Sequence, residues 1–366
     1  MQKARVGPGR GFTMTIAETD TEPMAEATAR DPAARRVGWL VALAATLAVV
    51  TLTDLLVGPA FLNVFDVLGA LVAPSTADPT VGAIVHAIRL PMTLMALVVG
   101  ASLGVAGAQM QTILGNPLAS PYTLGFSAAA GFGAAAAILT GVSLPLIPGL
   151  TVPLAAFAAA GLACLMVYGM AHLRGVTAEV MLLAGIATLF LFQSAQSLVQ
   201  YMAAPEVLQE IVFWLFGSML KANWFTVSVS GAVLALALGL LLPDLWKLTA
   251  LRMGDARAAS LGVNVPALRR RVFFVVALLT AGAVSFVGTI GFVGLVAPHL
   301  ARMLVGEDQR LLLPASAICG GLVMVGASIA SKLLSPGAVV PVGIVTALIG
   351  VPFLFGLILT GRRRFW

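Results

Sequence analysis

The feature that most constrains this chain is the recurrence of apolar stretches along almost its whole length. Ten are recognisable, at residues 37–57, 90–111, 124–140, 150–171, 180–200, 226–243, 272–290, 293–305, 312–331 and 342–360. A run of about 20 apolar residues can cross the hydrocarbon core of a bilayer as an α-helix. Only 10% of the residues are charged, against roughly 25% in a soluble domain. We therefore expect an all-α polytopic membrane protein with about ten transmembrane helices.

The basic residues are distributed unevenly around these stretches. With the N-terminus placed in the cytoplasm, 18 of the 21 Lys and Arg residues fall on the cytoplasmic side. Only Arg89, Lys221 and Lys332 fall outside, where a lone base is most simply an interfacial anchor. The positive-inside rule favours this orientation, with both termini cytoplasmic. Membrane topology thus accounts for the net charge of +6 without a nucleic-acid partner.

The first residues differ in character from the rest of the chain. Residues 1 to about 36 are polar and include Glu18, Asp20 and Glu22, whereas a signal peptide combines positive charge with a short apolar core. We expect a disordered cytosolic tail over 1–36 and the membrane domain over 37–366. Translation from Met14 or Met24 is an alternative.

Two of the apolar stretches are interrupted. Residues 111–125 read QTILGNPLASPYTLG, with Gly115 followed by an Asn-Pro pair, and a second break lies at 291–298. Broken helices at membrane depth are typical of transport paths. Gly100 and Gly104 form a G-x-x-x-G pattern, which predicts close packing against another helix.

The sequence lacks the motifs of several functional classes. The sequence has no G-x-x-x-x-G-K-[ST] phosphate-binding loop, so we expect no ATP hydrolysis by this chain. It has no H-E-x-x-H, and its three histidines are scattered, so no metal site is expected. The spans contain almost no acidic residues, with Asp54 and Asp244 near span ends. Since a proton- or sodium-coupled carrier usually needs an intramembrane carboxylate, the energy is expected to come from elsewhere.

The longest internal cytoplasmic segment, about 245–271, contains a short helical pattern. Leu251, Ala258 and Leu261 are expected on one face, and Gly262 follows as a C-terminal cap. Residue chemistry leaves two interpretations open. In the first, the helix lies on the membrane surface, with Arg269 to Arg271 touching lipid head groups. In the second, it docks onto a cytosolic partner.

Several motifs, in a fixed order, resemble those of a known family. They are RLPMTLMALVVGASLGVAGAQMQTILGNPLASPYTLG at 89–125, LLAGIA at 182–187, VFWLFGSM at 212–219, GDARAASLGVNV at 254–265, GTIGFVGLVAPHLARMLVGEDQRLLLP at 288–314 and PVGIVTALIGVPFLFGLI at 341–358. From about residue 80 onward, the chain is similar to the FecCD-type permease subunits of ATP-driven importers for iron-siderophores, haem and cobalamin.

The resemblance implies a particular assembly in the bacterial inner membrane. It implies a second permease copy or paralogue, with broken helices lining a path at the dimer interface, and two cytosolic ATPase subunits that use ATP and Mg. A periplasmic or lipoprotein substrate-binding protein would deliver the cargo. An iron-siderophore is favoured as the commonest cargo of the family, with haem and cobalamin as alternatives and a secondary carrier less favoured.

The resemblance also implies roles for individual residues. It assigns the cytoplasmic gate to Asn116, Pro117, Leu118, Val176, Thr177 and Ala178. It assigns ATPase coupling to Leu251, Gly254, Asp255, Ala258, Leu261 and Gly262. It assigns binding-protein docking to Arg89 and Lys332. From their place in the predicted fifth span, we expect the path to be lined by Gln193, Gln196, Gln200 and Tyr201.

The sequence departs from the family pattern at three positions. Met92 stands where a further arginine is common, Val339 stands where a glutamate is usual, and Ser120 stands where an acid is frequent. The first two departures concern the outer face. We therefore expect docking that is weaker or uses different contacts.

Overall fold

The computed structural model describes residues 32–58, 62–74, 78–145, 147–334 and 339–360, and the secondary structure of these ranges is helical. The α-helices are α1 Pro32–Leu56, α2 Val64–Val72, α3 Pro79–Ala83, α4 Leu90–Leu114, α5 Phe126–Thr140, α6 Thr151–Arg174, α7 Ala178–Met202, α8 Pro205–Leu215, α9 Trp224–Leu241, α10 Leu245–Leu251, α11 Asp255–Ser260, α12 Val265–Val287, α13 Val293–Val305, α14 Gln309–Leu333 and α15 Val342–Thr360. A π-helical turn, Ile84–Arg89, joins α3 to α4 without a break.

The expected all-α polytopic architecture is confirmed. Within the described ranges, 7 helical segments are long and apolar enough to span a membrane, and three shorter apolar helices, α5, α13 and α15, accompany them. Each of the ten apolar stretches corresponds to one of these helices. The short helices α2, α3 and α8 were not predicted, because 5 to 11 residues are too few to give a span signal.

The first helix begins within the expected N-terminal tail. Helix α1 begins at Pro32, so residues 32–36 of the expected tail are helical. Residues 1–31 of that tail lie outside the described residues, as do the three basic residues at 362–364. The rest of the tail prediction therefore stays a prediction.

Helix α4 forms the centre of the fold and is buried along most of its length. Its closest neighbour is α14, against which it packs backbone to backbone. A Cβ atom added at Gly100 would lie 2.3 Å from the Gly320 carbonyl oxygen, and one added at Gly320 would lie 2.0 Å from the Gly100 oxygen. The predicted packing role of Gly100 is thus confirmed, and its partner is a glycine of α14.

The second helix break lies between α12 and α13 and is covered by the end of α8. The Ser218 N–H donates to the Val287 carbonyl at 2.7 Å, and the Thr289 hydroxyl donates to the Leu215 carbonyl. Phe292 begins α13 with φ 67°, the one positive value for a non-glycine residue in the described part of the chain. The break is therefore held by contacts with α8, a helix that the apolar pattern did not reveal.

Candidate transport gate and coupling segment

The predicted first half of the gate is a turn that ends α4. Gly115 adopts φ 58°, which a glycine tolerates at little cost, and the Asn116 N–H reaches back to the Gln111 carbonyl at 3.2 Å. The Asn116 side-chain oxygen then accepts from the Leu118 N–H at 2.9 Å. Pro117 cannot continue a helix because it lacks an N–H. These bonds leave Leu118 52% exposed.

The predicted second half of the gate joins α6 to α7. Val176 and Ala178 are half-buried, and Thr177 is exposed. The Thr177 side chain caps α7 by accepting from the Val180 N–H at 3.3 Å. This segment is therefore a short capped connection, and the role of its three residues as a gate stays a prediction.

Arg269, in the first turns of α12, contacts the end of α4 and the second predicted gate segment. Its Nε donates to the Ile113 carbonyl at 2.6 Å, just before the turn that ends α4. Its Nη1 lies 3.5 Å from the Val176 carbonyl oxygen. Arg269 is only 4% exposed. The proposed contact of this side chain with lipid head groups is therefore wrong, because its donors are taken up inside the protein.

The coupling segment is divided between two helices. Leu251, at the end of α10, is 5% exposed, and Ala258, in α11, is 0% exposed, whereas Leu261 is 55% exposed. The turn through Arg252 and Met253 changes the direction of the chain between the two helices. The expectation that all three apolar residues share one face is therefore wrong: two pack into the core and Leu261 faces outward.

The ends of α11 follow the sequence pattern. Gly254, with φ 99°, precedes the helix, and Asp255 opens it. At the other end, the Val263 N–H donates to the Ala258 carbonyl at 3.1 Å, while Gly262 adopts φ 82°. This pattern is a Schellman motif, in which a left-handed residue satisfies the last carbonyls of a helix. The predicted capping role of Gly262 is confirmed.

The two bases predicted to dock a binding protein are buried inside this chain. Lys332 Nζ lies 2.8 Å from Asp54 Oδ1, and the Thr93 hydroxyl donates to the other oxygen of the same carboxylate at 2.5 Å. Arg89 Nη1 donates to the Leu55 carbonyl at 2.8 Å. Arg89 is 4% and Lys332 8% exposed. The expectation that these two bases are accessible is wrong. Their docking role stays a prediction, and their burial argues against it.

Asp54 and Asp244 lie near the ends of spanning helices, as expected, but both are buried. Asp54 is 0% exposed and Asp244 is 1% exposed. Both have basic partners, since Asp54 pairs with Lys332 and Asp244 lies 2.8 Å from Lys247 Nζ. Each of these two acids is therefore held beside a basic residue of the same chain.

The predicted path-lining residues do not share one environment. Gln196 and Gln200 are half-buried, while Gln193 and Tyr201 are exposed on this chain. A Cβ atom added at Gly131 of α5 would lie 2.5 Å from Gln196 Oε1, so Gln196 packs against that helix. Gln193 and Tyr201 have the exposure that path-lining residues require, and their role stays a prediction.

Among the described residues, one buried polar cluster is not apparent from the sequence. Buried Gln309, at the start of α14, accepts from Gln109 Nε2 at 3.0 Å and donates to the Thr112 hydroxyl at 2.9 Å. Its backbone N–H donates to the Thr249 hydroxyl of α10 at 3.1 Å. The available signal was the presence of glutamine within the apolar run of α4. The cluster links α4 and α14 to α10, the first helix of the coupling segment.

Comparison with known proteins assigns these features to a family. Residues 46–360 match the FecCD transport family. A protein of Methanocaldococcus jannaschii that is named as an ABC transporter permease is 37% identical, over 90% of this chain and 96% of its own length. The cobalamin import system permease of Halobacterium salinarum is 35% identical, over 78% of this chain and 74% of its own length.

A solved structure gives the same assignment. The inward-facing conformation of a metal-chelate type ABC transporter is similar to this chain with a TM-score of 0.76 and 32% sequence identity, over 88% of this chain and 99% of the other. Other relatives are named for the import of iron(III)-citrate, iron(III)-hydroxamate and hemin. The match covers the membrane domain together with the gate and coupling segments, and we conclude that this chain belongs to the FecCD transport family of ABC importer permeases.

Proposed function

We propose that this permease moves an iron-siderophore chelate inward across a bacterial inner membrane by alternating access. It would act with a second permease copy or a paralogue, two cytosolic ATPase subunits and a periplasmic or lipoprotein substrate-binding protein. Broken helices of the two permeases would line the path between them. The surrounding lipid completes the assembly, and no nucleic acid takes part.

The observation that carries this proposal is the position of the helix break after α4. The most deeply buried helix of the fold ends at Gly115, and the next turn presents an exposed Leu118. Asp255, which opens α11 in the coupling segment, is bound to the same arginine that binds the end of α4. A movement of the coupling segment therefore has a direct route to the gate.

The division of labour follows from the sequence. Because this chain has no phosphate-binding loop motif, ATP and Mg would be bound by the partner ATPase. Leu261, the residue that caps the end of α11, is the exposed one of the three predicted apolar contacts with that partner, since Leu251 and Ala258 are buried. The energy of ATP hydrolysis would enter through this segment.

Support for the cargo is chemical and comparative. The exposed side of α7 carries uncharged polar groups, Gln193 and Tyr201, which suit a bulky chelate that must pass without being held tightly. Among the relatives, iron(III)-citrate and iron(III)-hydroxamate permeases favour an iron chelate. Haem and cobalamin are the alternatives, since relatives are also named for those cargoes.

The test is uptake by the intact complex in proteoliposomes, purified through a tag on this chain. Three probes are compared: a radiolabelled iron(III)-hydroxamate siderophore, hemin and cobalamin, each loaded on the copurified binding protein. We expect ATP-dependent uptake of the siderophore alone. Uptake of hemin or cobalamin instead would identify that compound, rather than the siderophore, as the cargo. Uptake driven by a proton gradient without ATP would contradict the proposed mechanism.

A further inference from the structure

One buried guanidinium joins three parts of the chain that are distant in sequence. Arg269 binds the Asp255 carboxylate through both oxygens, with Nη1 at 2.9 Å from Oδ2 and Nη2 at 2.8 Å from Oδ1. It also donates to the Ile113 carbonyl at 2.6 Å and lies 3.5 Å from the Val176 carbonyl oxygen. A single side chain therefore contacts the coupling helix, the end of α4 just before the first predicted gate segment, and the second predicted gate segment.

The chemistry of these contacts is specific to arginine. A guanidinium presents five N–H donors in a rigid plane, so it can bind a carboxylate through two parallel bonds and still donate elsewhere. Ile113 lies in the last turn of α4, where carbonyls have no partner within the helix. Arg269 supplies the missing donor. A lysine ammonium at the same place lacks the planar fork and cannot reproduce this set of bonds.

The three contacts differ in accessibility. The Arg269 side chain is 5% exposed, whereas the Asp255 side chain is 57% exposed. The carboxylate thus lies at the surface, on the helix that faces the proposed ATPase, while the arginine reaches into the protein. A displacement of α11 would pull on the guanidinium and, through it, on the carbonyl at the end of α4.

We propose that Arg269 is a positioning residue that makes the coupling helix α11 and the two gate segments move together during the transport cycle. This proposal rests on the proposed function, because it assumes that α11 receives the movement of an ATPase. It concerns the coupling of ATP hydrolysis to transport and is independent of which chelate is carried.

The first measurement compares transport with ATP hydrolysis in the purified complex. Arg269→Gln keeps a polar side chain but removes the guanidinium and with it the paired bonds to Asp255. We expect transport per ATP hydrolysed to fall by about tenfold, within the range typical of coupling between two sites, while the complex assembles and hydrolyses ATP at a rate close to that of the wild type. Arg269→Lys should recover only part of the loss.

Matched variants separate coupling from simple stability. Arg270 neighbours Arg269 on α12 and is exposed, so Arg270→Gln should leave the transport ratio unchanged. If Arg269→Gln fails to fold, Asp255→Asn provides the same test from the exposed side, because it leaves the two carbonyl bonds in place. Equal transport ratios in the wild type and Asp255→Asn would overturn the proposal.

A second measurement does not depend on cargo. Spin labels are placed at Ala259 of α11 and at Tyr122 in the turn after α4, both exposed positions, while Cys164 and Cys319 are buried. With Arg269 intact, the distance between the labels should keep one narrow distribution with and without ATP. With Arg269→Gln, it should broaden or shift on ATP binding. Identical distributions in both backgrounds would show that Arg269 does not link the segments, even if the cargo proposal also fails.

Discussion

Lys332 Nζ lies 2.8 Å from Asp54 Oδ1, and the two side chains are 3% and 0% exposed. The pair joins the end of α14 to the end of α1, while the Thr93 hydroxyl of α4 donates to the same carboxylate. Three helices therefore converge on one carboxylate at one end of the fold. A buried ion pair with these additional bonds fixes the relative position of the helices that carry it.

We expect Lys332→Met to destabilise the permease strongly. Removing one partner leaves a buried carboxylate uncompensated, which typically costs about 3–5 kcal/mol. Thermal unfolding in detergent measures the loss. The double variant Asp54→Asn/Lys332→Met should recover part of it, since the carboxylate and the ammonium of the pair are removed together. A single variant as stable as Lys221→Met, an exposed control, would contradict a structural role for the pair.

Docking of the binding protein should depend on Lys221 more than on the two buried bases. Lys221 is exposed, and it lies close to Trp224, whose indole N–H donates to the His86 carbonyl at 3.0 Å near the start of α4. We expect Lys221→Glu to slow association in nanodiscs at low salt, with the difference disappearing at about 0.5 M salt as charges are screened.

The buried bases should respond differently in the same experiment. Arg89→Glu/Lys332→Glu should reduce the amount of folded permease, because it places acids beside Asp54. A well-folded double variant with a slowed, salt-dependent association would instead restore the docking role first expected of Arg89 and Lys332.

We expect Gly320→Ala to separate α4 from α14. The added Cβ would lie 2.0 Å from the Gly100 carbonyl oxygen, and overpacking of this kind typically costs about 1–3 kcal/mol. Gly326→Ala, in the same helix, provides the control because nothing lies within 4 Å of its added Cβ. We expect Gly320→Ala to unfold at a lower temperature than Gly326→Ala. Equal unfolding temperatures would contradict the close backbone contact between α4 and α14.

Because the two leucines of the coupling segment differ in burial, we expect their substitutions to have different effects. Leu261→Asp alters a side chain that is 55% exposed, so the permease should fold and fail to copurify with its ATPase. Leu251→Asp places a charge at a position 5% exposed, so the permease itself should lose stability. Copurification and detergent stability, measured on both variants, test this. Retention of the ATPase by Leu261→Asp would remove α11 from the docking surface.

The sequence anticipated features whose cause is local. Apolar length predicted the spanning helices, and the Gly115–Asn116–Pro117 sequence predicted the end of α4, since glycine, the Asx turn and proline act through their own backbone. The cap at Gly262 was predictable for the same reason. Short helices such as α8 were missed because their apolar length is insufficient, although the chain needs them to cover the break before α13.

The contacts between distant segments could not be predicted in this way. Asp54 and Lys332 are 278 positions apart, and Arg269 and Ile113 are 156 apart. No periodicity connects such residues, and a basic residue at the end of an apolar run has the same local pattern whether it meets lipid, a partner protein or a buried carboxylate. Arg269 was therefore interpreted as one of three equivalent bases, although the structure separates it from Arg270 and Arg271 by burial.

The close crossing of α4 and α14 has a mechanical consequence. Backbone atoms, rather than side chains, form the contact between the two helices. The helices therefore have no layer of side chains between them that could adjust, and they cannot slide past each other without a clash. They form one strut of 25 residues, which is about 37 Å long at the rise of an α-helix. One end of this strut carries the Asp54–Lys332 pair, and the other carries the Ile113 carbonyl held by Arg269. A signal that crosses the membrane through this chain must therefore travel as a movement of the whole strut rather than as a change in its length.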